Sequence, residues 1–265
     1  MVIPDQFSLI RWLKDEAVAL VNDEEGKKLV LKSHPHSAVF AKFSETVNEY
    51  TRVLRTIMPF IHKTGEFHYR GFVEGEMSGD TDSQFGFNPK NLEKIDPKIL
   101  AQGLYELQNL SGSGIFVNSG LEVRKSSWFQ NNLKETEKAV GSEFEASFPY
   151  NVDQFMRKYG RMVDLNSKYL VNGDLHPQNI FVNCLLEGEG KIFMISDWDL
   201  LHFNNPAYDL ADLYIWSWKN PAWRDKLITE FKALWQEKSD ELADCLIFCQ
   251  VYFSCQMIKH VYLMR

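Results

Sequence analysis

The chain contains no run of residues suited to crossing a membrane as a helix. Its most apolar stretch, residues 242–264, is interrupted by Asp244, Gln250, Gln256 and Lys259, a pattern that suits a buried helix. The opening Met-Val-Ile-Pro-Asp-Gln has no basic segment followed by an apolar one. A secretory leader is therefore not expected, and the cytoplasm is the expected location. Cysteine is scarce: the four residues Cys184, Cys245, Cys249 and Cys255 include no C-x-x-C pair. Three of them fall in that same apolar stretch at helical spacing, which predicts small buried hydrophobes rather than disulfides or metal ligands. Positive charge is also short, with 29 Lys and Arg against 36 Asp and Glu, a net charge of -7. That balance argues against a nucleic-acid partner, whose phosphates demand a basic surface. It is compatible with a cationic small substrate or simply with solubility. Internal repeats and low-complexity tracts are absent.

What is present is an ordinary globular composition, 45% hydrophobic and 25% charged over 265 residues, enough for one large unit or two small lobes. One stretch stands apart from the rest. Tyr169-Leu-Val-Asn-Gly-Asp-Leu-His-Pro-Gln-Asn-Ile-Phe-Val182 is followed by Lys191-Ile-Phe-Met-Ile-Ser-Asp-Trp-Asp-Leu200. Two short apolar runs flank polar residues ill suited to a core. Read as strands joined by a loop at residues 185–190, the runs form a hairpin. Such a hairpin would gather Asp174, Asn179 and Asp197 at one edge. Asp, Asn and Asp are oxygen donors of the kind that hold Mg²⁺ and leave positions for phosphate and water. The D-x-x-x-x-N spacing with a later strand-end Asp is the arrangement of phosphoryl-transfer loops.

Asn172-Gly-Asp-Leu-His-Pro-Gln-Asn-Ile180 resembles the H-G-D-L-H-P-x-N signature of the aminoglycoside phosphotransferase and choline kinase-like family, and Ile195-Ser-Asp-Trp-Asp199 resembles its I-D-W-E/D metal motif. Either motif alone is weak, but their joint occurrence in this order is specific. The resemblance implies an α+β, two-lobed protein kinase-like fold, with a small antiparallel β-sheet lobe and a larger mainly helical lobe. It implies ATP or GTP as co-substrate, Mg²⁺, and a small-molecule hydroxyl as acceptor, meeting in the cleft between lobes. Asp174 becomes the residue that accepts or orients the hydroxyl proton, and Asn179 and Asp197 the Mg²⁺ ligands. Asp199 is implied as a helper, through a second ion or water, and His176 as a residue that fixes the loop. Asn172 stands where the family has His, and Gln178 where Gly is common.

The rest of the chain supplies partners. Residues 7–12, 17–21 and 28–32 read as three antiparallel strands with tight connections, the last turn being Asn22-Asp-Glu-Glu-Gly26. Lys32 matches the family lysine that contacts the nucleotide phosphates. Residues 44–58 are patterned as a helix, with Ser44 as N-cap and Val47, Tyr50, Val53, Leu54 and Ile57 on one face. Glu49, in Asn48-Glu-Tyr-Thr-Arg-Val-Leu54, resembles the helix glutamate that pairs with such a lysine. Glu45, one turn earlier, competes for that role, and both also fit a plain solvated face. Between the first two strands, residues 13–17 contain no glycine, so no G-x-G-x-x-G loop covers the phosphates. His68-Tyr-Arg-Gly-Phe-Val-Glu-Gly-Glu76 resembles the strand that leads into the family's hinge, implying 70–73 as hinge and Gly75 as a turn.

Residues 79–97 read as a polar loop, with the lobe boundary near Ser78, giving a nucleotide-binding lobe over 1–78 and a catalytic and substrate-binding lobe over 79–265. Helices are expected at 97–110, 128–140, 152–163, 210–218, 223–235 and 239–263. Gln108 takes the place of a family His at the end of the first of these. Asn205-Pro-Ala-Tyr-Asp-Leu-Ala211 resembles the family's G-D-P-x-x-D-L-A segment, which makes Asp209 a helix cap and a brace for the catalytic loop. Trp216, Trp218 and Trp223 could line a wall for a cation or pack the helical lobe. The expected protein is a small-molecule kinase without nucleic-acid or membrane partners. Its alternative is an inactive kinase-like binding protein, which the complete Asp174, Asn179 and Asp197 set disfavours. A protein kinase is disfavoured by the short path from Asp197 to Pro206, which leaves no room for a long activation loop.

Overall fold

In the computed structural model, which describes residues 2–14, 17–82, 86–114, 116, 118–148, 151–186 and 189–263, the chain begins as an antiparallel sheet. Its strands are β1 (Ser8–Lys14), β2 (Val18–Asn22), β3 (Lys28–Ser33) and, after two helices, β4 (Ile61–Thr64) and β5 (Phe67–Gly71), in spatial order β1-β2-β3-β5-β4. Side chains alternate between faces. Ala19, Val21, Leu29 and Leu31 pack together on one face with Trp12 and Phe7 beside them. Leu20, Val30, Lys32, His68 and Arg70 belong to the other, because β3 and β5 pair Val30 with Arg70 and Lys32 with His68.

Helix α1 (Ser37–Tyr50) starts earlier and stops sooner than its periodicity suggests, and α2 (Leu54–Ile57) follows as a separate short turn. Ser44 is therefore not an N-cap. It lies buried within α1, where its hydroxyl accepts the Ile61 amide at 2.8 Å. The break has a cause elsewhere in the chain. Glu106 Oε2 accepts the amides of Arg52, Val53 and Leu54 at 3.1, 2.8 and 2.8 Å, satisfying donors that a helix start leaves open.

The remainder is mainly helical: α3 (Pro97–Asn109), α4 (Ser126–Val140), α5 (Ser142–Ser147), α6 (Val152–Asn166), α7 (Tyr208–Trp216), α8 (Pro221–Leu234) and α9 (Ser239–Leu263). Asp96 and Asn151 cap α3 and α6 by accepting the Lys98 and Asp153 amides at 2.9 Å each. One apolar core runs from Phe40 on α1 to Cys255 on α9. Within it Phe155 and Phe248 stack at 5.2 Å, and burial of each such ring stabilises by roughly 1.5–3 kcal/mol. All four cysteines are free and buried, Cys245, Cys249 and Cys255 on α9 as their helical spacing predicts. Among the described residues no helix is long and apolar enough to cross a membrane.

A second sheet has three strands. The expected hairpin is β10 (Ile180–Leu186) with β11 (Glu189–Ile195), and β6 (Val73–Met77) adds to it in the order β11-β10-β6. The strands extend to Leu186 and Glu189, so most of the expected loop is ladder, and residues 187–188 lie outside the described set. Two expectations are corrected here. Gly75 is not a turn: it sits inside β6, where a Cβ would lie 2.7 Å from the Cys184 Cβ, so the strand needs glycine for close approach. Residues 79–97 are not a plain loop either, since β7 (Gly79–Asp82) and β8 (Gly86–Pro89) pair antiparallel, with residues 83–85 outside the described set. Finally β9 (Tyr169–Val171) pairs with β12 (His202–Asn204), bracketing the segment of greatest chemical interest.

Candidate active site

The segment 172–179 leaves β9 and enters β10, and its backbone is held from behind. Asp209, in the first turn of α7, accepts the Asn172 amide on Oδ2 at 2.7 Å and the Gly173 amide on Oδ1 at 2.9 Å. Both loop amides thus end on one side chain, while the residue at the N-cap of the helix is Ala207, not Asp209. Burial pushes its carboxyl up to about 6, against the pull of those two N–H groups. Gly173 has φ of +89°, and a Cβ there would collide with the Leu200 carbonyl and lie 2.6 Å from His202 Nδ1. Asn172 ties this loop to the segment that follows β11: its Nδ2 donates to the Asp197 carbonyl at 2.5 Å and its Oδ1 accepts the Asp174 amide at 3.1 Å. An Asn in place of His thus keeps the loop tied. Ser78 Oγ adds a bond to the Pro177 carbonyl at 2.6 Å.

Asp174 projects from this loop with its side chain about two-fifths exposed, at 41%. Asn179 Nδ2 donates to its Oδ2 at 3.0 Å and to its backbone carbonyl at 2.9 Å. His176 Nε2 lies 3.6 Å from its Oδ1, while His176 Nδ1 accepts the Gln178 amide at 3.3 Å. Burial raises the Asp174 carboxyl, but hydrogen bonds from His176 and Asn179, with the charge of Lys14, outweigh it and hold the group below the usual range. An ionised carboxylate that only accepts hydrogen bonds is therefore partly open to solvent.

Asn179 and Asp197 come together because Ile180 pairs with Ile195 and the Ser196 amide donates to the Asn179 carbonyl at 2.9 Å. The Asn179 NH₂ is engaged by Asp174, which turns its amide oxygen away. With the Asp197 carboxylate that gives two hard oxygen donors suited to Mg²⁺, which takes one or two protein ligands and completes its shell with phosphate and water. Among the described residues no three His, Cys, Asp or Glu side chains cluster as a metal cage. The donor chemistry fits a shared, substrate-dependent ion.

Lys32 reaches this edge from β3. Its Nζ donates to Asp197 Oδ1 at 3.1 Å and to Asp199 Oδ2 at 2.6 Å. The pairing of Lys32 with Glu49 is not formed: Glu49 is exposed and hydrogen-bonds Tyr50, raising that phenol, and Glu45 pairs with Lys42 at 3.5 Å. Both glutamates face solvent because the buried face of α1 is Phe40, Phe43, Ser44 and Val47. Lys32, Asp174, Asn179, Asp197 and Asp199, with His176 and Asp209 behind them, are thus one constellation, and Glu49 lies outside it.

Three members escape sequence reasoning. His68, buried across from Lys32, places Nε2 3.3 Å from Asp199 Oδ1. Burial resists the Asp199 charge, but the His68 hydrogen bond and the Lys32 charge hold that carboxyl far below the usual range. Arg70 shares the face of Lys32; burial lowers its guanidinium while Asp197 and Asp199 pull it back up. Their signal was strand alternation, legible once β3 and β5 are paired. Asp212 lies one turn beyond Asp209, buried, and is pushed well above the carboxylate range by burial and then by the Asp174 and Asp209 charges. Its signal was the three-residue spacing on a helix. The three tryptophans have separate surroundings: Trp216 is buried and meets His260 at 5.9 Å, Trp223 Nε1 donates to the Ile95 carbonyl at 2.9 Å, and Trp218 is exposed with the Lys219 ammonium 4.9 Å above its ring.

Comparison with known proteins gives a family match and a set of similar solved structures. Residues 136–241 match the model of the phosphotransferase enzyme family. No curated protein matches the sequence. Among solved structures, the macrolide 2'-phosphotransferase of Brachybacterium faecium, as apoenzyme, superposes with a TM-score of 0.55 at 15% identity, covering 89% of this chain and 81% of that one. The GDP complex of a wild-type aminoglycoside 2'-phosphotransferase gives 0.54 at 13% identity, covering 97% and 92%. A Plasmodium vivax ethanolamine kinase gives 0.52 at 16% identity, covering 97% and 73%. At such identities the likeness is one of fold, the α+β arrangement of kinase-like phosphotransferases. The segment 136–241, which contains the whole β10–β11 hairpin and the loop before it, is similar to the phosphotransferase enzyme family.

Proposed function

We propose that the protein transfers the γ-phosphate of ATP or GTP to a hydroxyl group of a small molecule, with Asp174 as the base. One observation carries this reading: Asp174, Asn179 and Asp197 stand at one end of the β10–β11 hairpin, with Lys32 directed at them from the facing sheet. Phosphoryl transfer asks the protein chiefly for positioning and charge neutralisation. Asp174, kept ionised by its neighbours and partly open to solvent, accepts the proton of the incoming hydroxyl. Asn179 and His176 fix the direction of its carboxylate, and Asp209 fixes the loop that bears it. Lys32 offers a cation to the nucleotide phosphates. Asn179 and Asp197 hold Mg²⁺, which when bound neutralises phosphate charge. In this reading residues 1–78 form the nucleotide-binding lobe and 79–265 the catalytic and acceptor-binding lobe, working in the cytoplasm without nucleic acid or membrane.

The test is a thermal-shift measurement with Mg²⁺ and ATP or GTP on the natural protein and on Asp197→Ala. The natural protein should gain stability that the variant does not; equal gains would remove Asp197 from the metal site. A turnover screen across macrolides, aminoglycosides, amino alcohols and sugars then selects the acceptor class. The first three of those classes are suggested by the macrolide, aminoglycoside and ethanolamine enzymes that share the fold.

A further inference from the structure

The lysine of the candidate site is held by a strand, not by a helix. Lys32 and His68 are directly opposed in the β3–β5 ladder, and the carboxylate of Asp199 lies across both: Oδ2 takes the Lys32 ammonium at 2.6 Å and Oδ1 faces His68 Nε2 at 3.3 Å. His68 is itself anchored. Its Nδ1 lies 3.0 Å from Ser37 Oγ, Ser37 Oγ donates to the His34 carbonyl at 2.8 Å, and Phe40 packs edge-on against the ring at 5.2 Å. The imidazole is 3% exposed, and Ser37 is the first residue of α1. A chain of contacts therefore runs from the start of α1 through Ser37, His68 and Asp199 to Lys32. Glu49 and Glu45, the two helix carboxylates that could have oriented the lysine, point to solvent.

We propose that His68 is a positioning residue that fixes Asp199, and through it the Lys32 ammonium, in the role a helix glutamate would otherwise fill. His68 touches no reacting atom. It leaves Asp199 Oδ1 engaged, so that the carboxylate cannot swing about its own axis and carry Lys32 out of line with the phosphates. This inference rests on reading the cleft as a nucleotide site. It adds that the docking of α1 is coupled to nucleotide affinity through Ser37 rather than through an acidic side chain of the helix.

The experiment compares His68→Leu, His68→Gln, Ser37→Ala and Glu49→Ala. Equilibrium binding of Mg–ATP and Mg–GTP is measured first, then KM for nucleotide and for acceptor separately. His68→Leu should raise the nucleotide Kd and KM at least about tenfold, the factor expected from losing a hydrogen bond to a charged group. The acceptor KM should stay in place. His68→Gln, whose amide nitrogen reaches the same point, should recover most of the loss, and Ser37→Ala should move nucleotide KM in the same direction as His68→Leu. Should His68→Leu fail to fold, Ser37→Ala and His68→Gln carry the comparison. An unchanged nucleotide KM in His68→Leu or Ser37→Ala, an equal rise of both KM values, or a larger effect from Glu49→Ala each overturns the assignment. If the natural protein binds neither nucleotide, the functional reading itself fails; if it binds and the His68 and Ser37 variants bind equally well, only this inference does.

Discussion

Asp209 and Asn172 meet through a 2.7 Å bond from the Asn172 backbone amide to the buried Asp209 carboxylate, whose second oxygen takes the next amide, that of Gly173, at 2.9 Å. A single side chain on α7 thus sets the backbone from which Asp174 projects. The arrangement needs two acceptors on one group, which only a carboxylate supplies.

Asp209→Asn should therefore lower both stability and turnover. The carboxamide can accept from one amide but presents an NH₂ to the other, leaving a buried donor unsatisfied at about 1–3 kcal/mol. Urea denaturation should show a lower midpoint with unchanged slope. Nucleotide binding should fall less than turnover, because Lys32 still reaches Asp197 from β3. A variant as stable and as active as the natural protein would remove Asp209 as the brace.

A pH effect follows from His202, which lies against the same loop. Burial, and then the Arg124 charge, lower its imidazole to about 3. A base depressed in the folded state takes up protons preferentially when unfolded, so its contribution is present above the ordinary value near 6.5 and is lost as pH falls toward 3. Asp209 acts in the opposite sense, since a carboxyl raised from 3.8 to about 6 favours the folded state as pH falls through that interval. The variant comparison separates them. Between pH 6.5 and 4 the natural protein should lose more stability than His202→Gln does, measured by chemical denaturation at each pH. Parallel curves would contradict it.

The catalytic hairpin was legible because its signal is local: apolar runs of strand length, an Asp and an Asn at fixed spacing, and a strand-end Asp. The helices from α3 onward were legible from periodicity, and α9 from Ser239 to Leu263 was read with both ends correct. What escaped depends on partners distant in sequence. The break after α1 is made by Glu106, which accepts amides from residues 52–54. Lys32 prefers Asp199 to Glu49 because α1 is rotated by the burial of Phe40, Phe43 and Val47, and no feature of residues 44–54 alone reports that rotation. His68 heads the segment that resembles the strand into the hinge, but that resemblance gives its side chain no role, and only strand pairing brings it opposite Lys32.

Gly75 offers a test of how closely the hairpin and β6 must approach. A Cβ at this position would come 2.7 Å from Cys184 Cβ and 2.9 Å from Cys184 Cα, and a backbone atom cannot rotate away. Gly75→Ala should destabilise the protein by about 1–3 kcal/mol, the usual cost of overpacking. Because Val73–Met77 pairs with the strand that follows Asn179, the displacement should also weaken nucleotide binding. Thermal denaturation with and without Mg–nucleotide reads both effects. A variant of unchanged melting temperature would mean that β6 and β10 separate freely.

Asp174 gives the most direct test of the chemistry. Its carboxylate is held ionised by His176 and Asn179 and is partly open to solvent, while Asp197 and Asp199 each accept from Lys32. Asp174→Asn preserves shape, and the amide could still meet His176, but it cannot take a proton. Transfer to the acceptor should fall by roughly 10²–10⁴-fold, the range for loss of a general base. Mg–nucleotide affinity should be kept or slightly raised, because one negative charge near the phosphates is removed. Nucleotide hydrolysis without acceptor should drop much less than transfer, since water can deliver its proton to solvent. Equal transfer rates in the variant and the natural protein would show that the hydroxyl proton leaves by another route, whereas a parallel loss of nucleotide binding would assign Asp174 to the metal site instead.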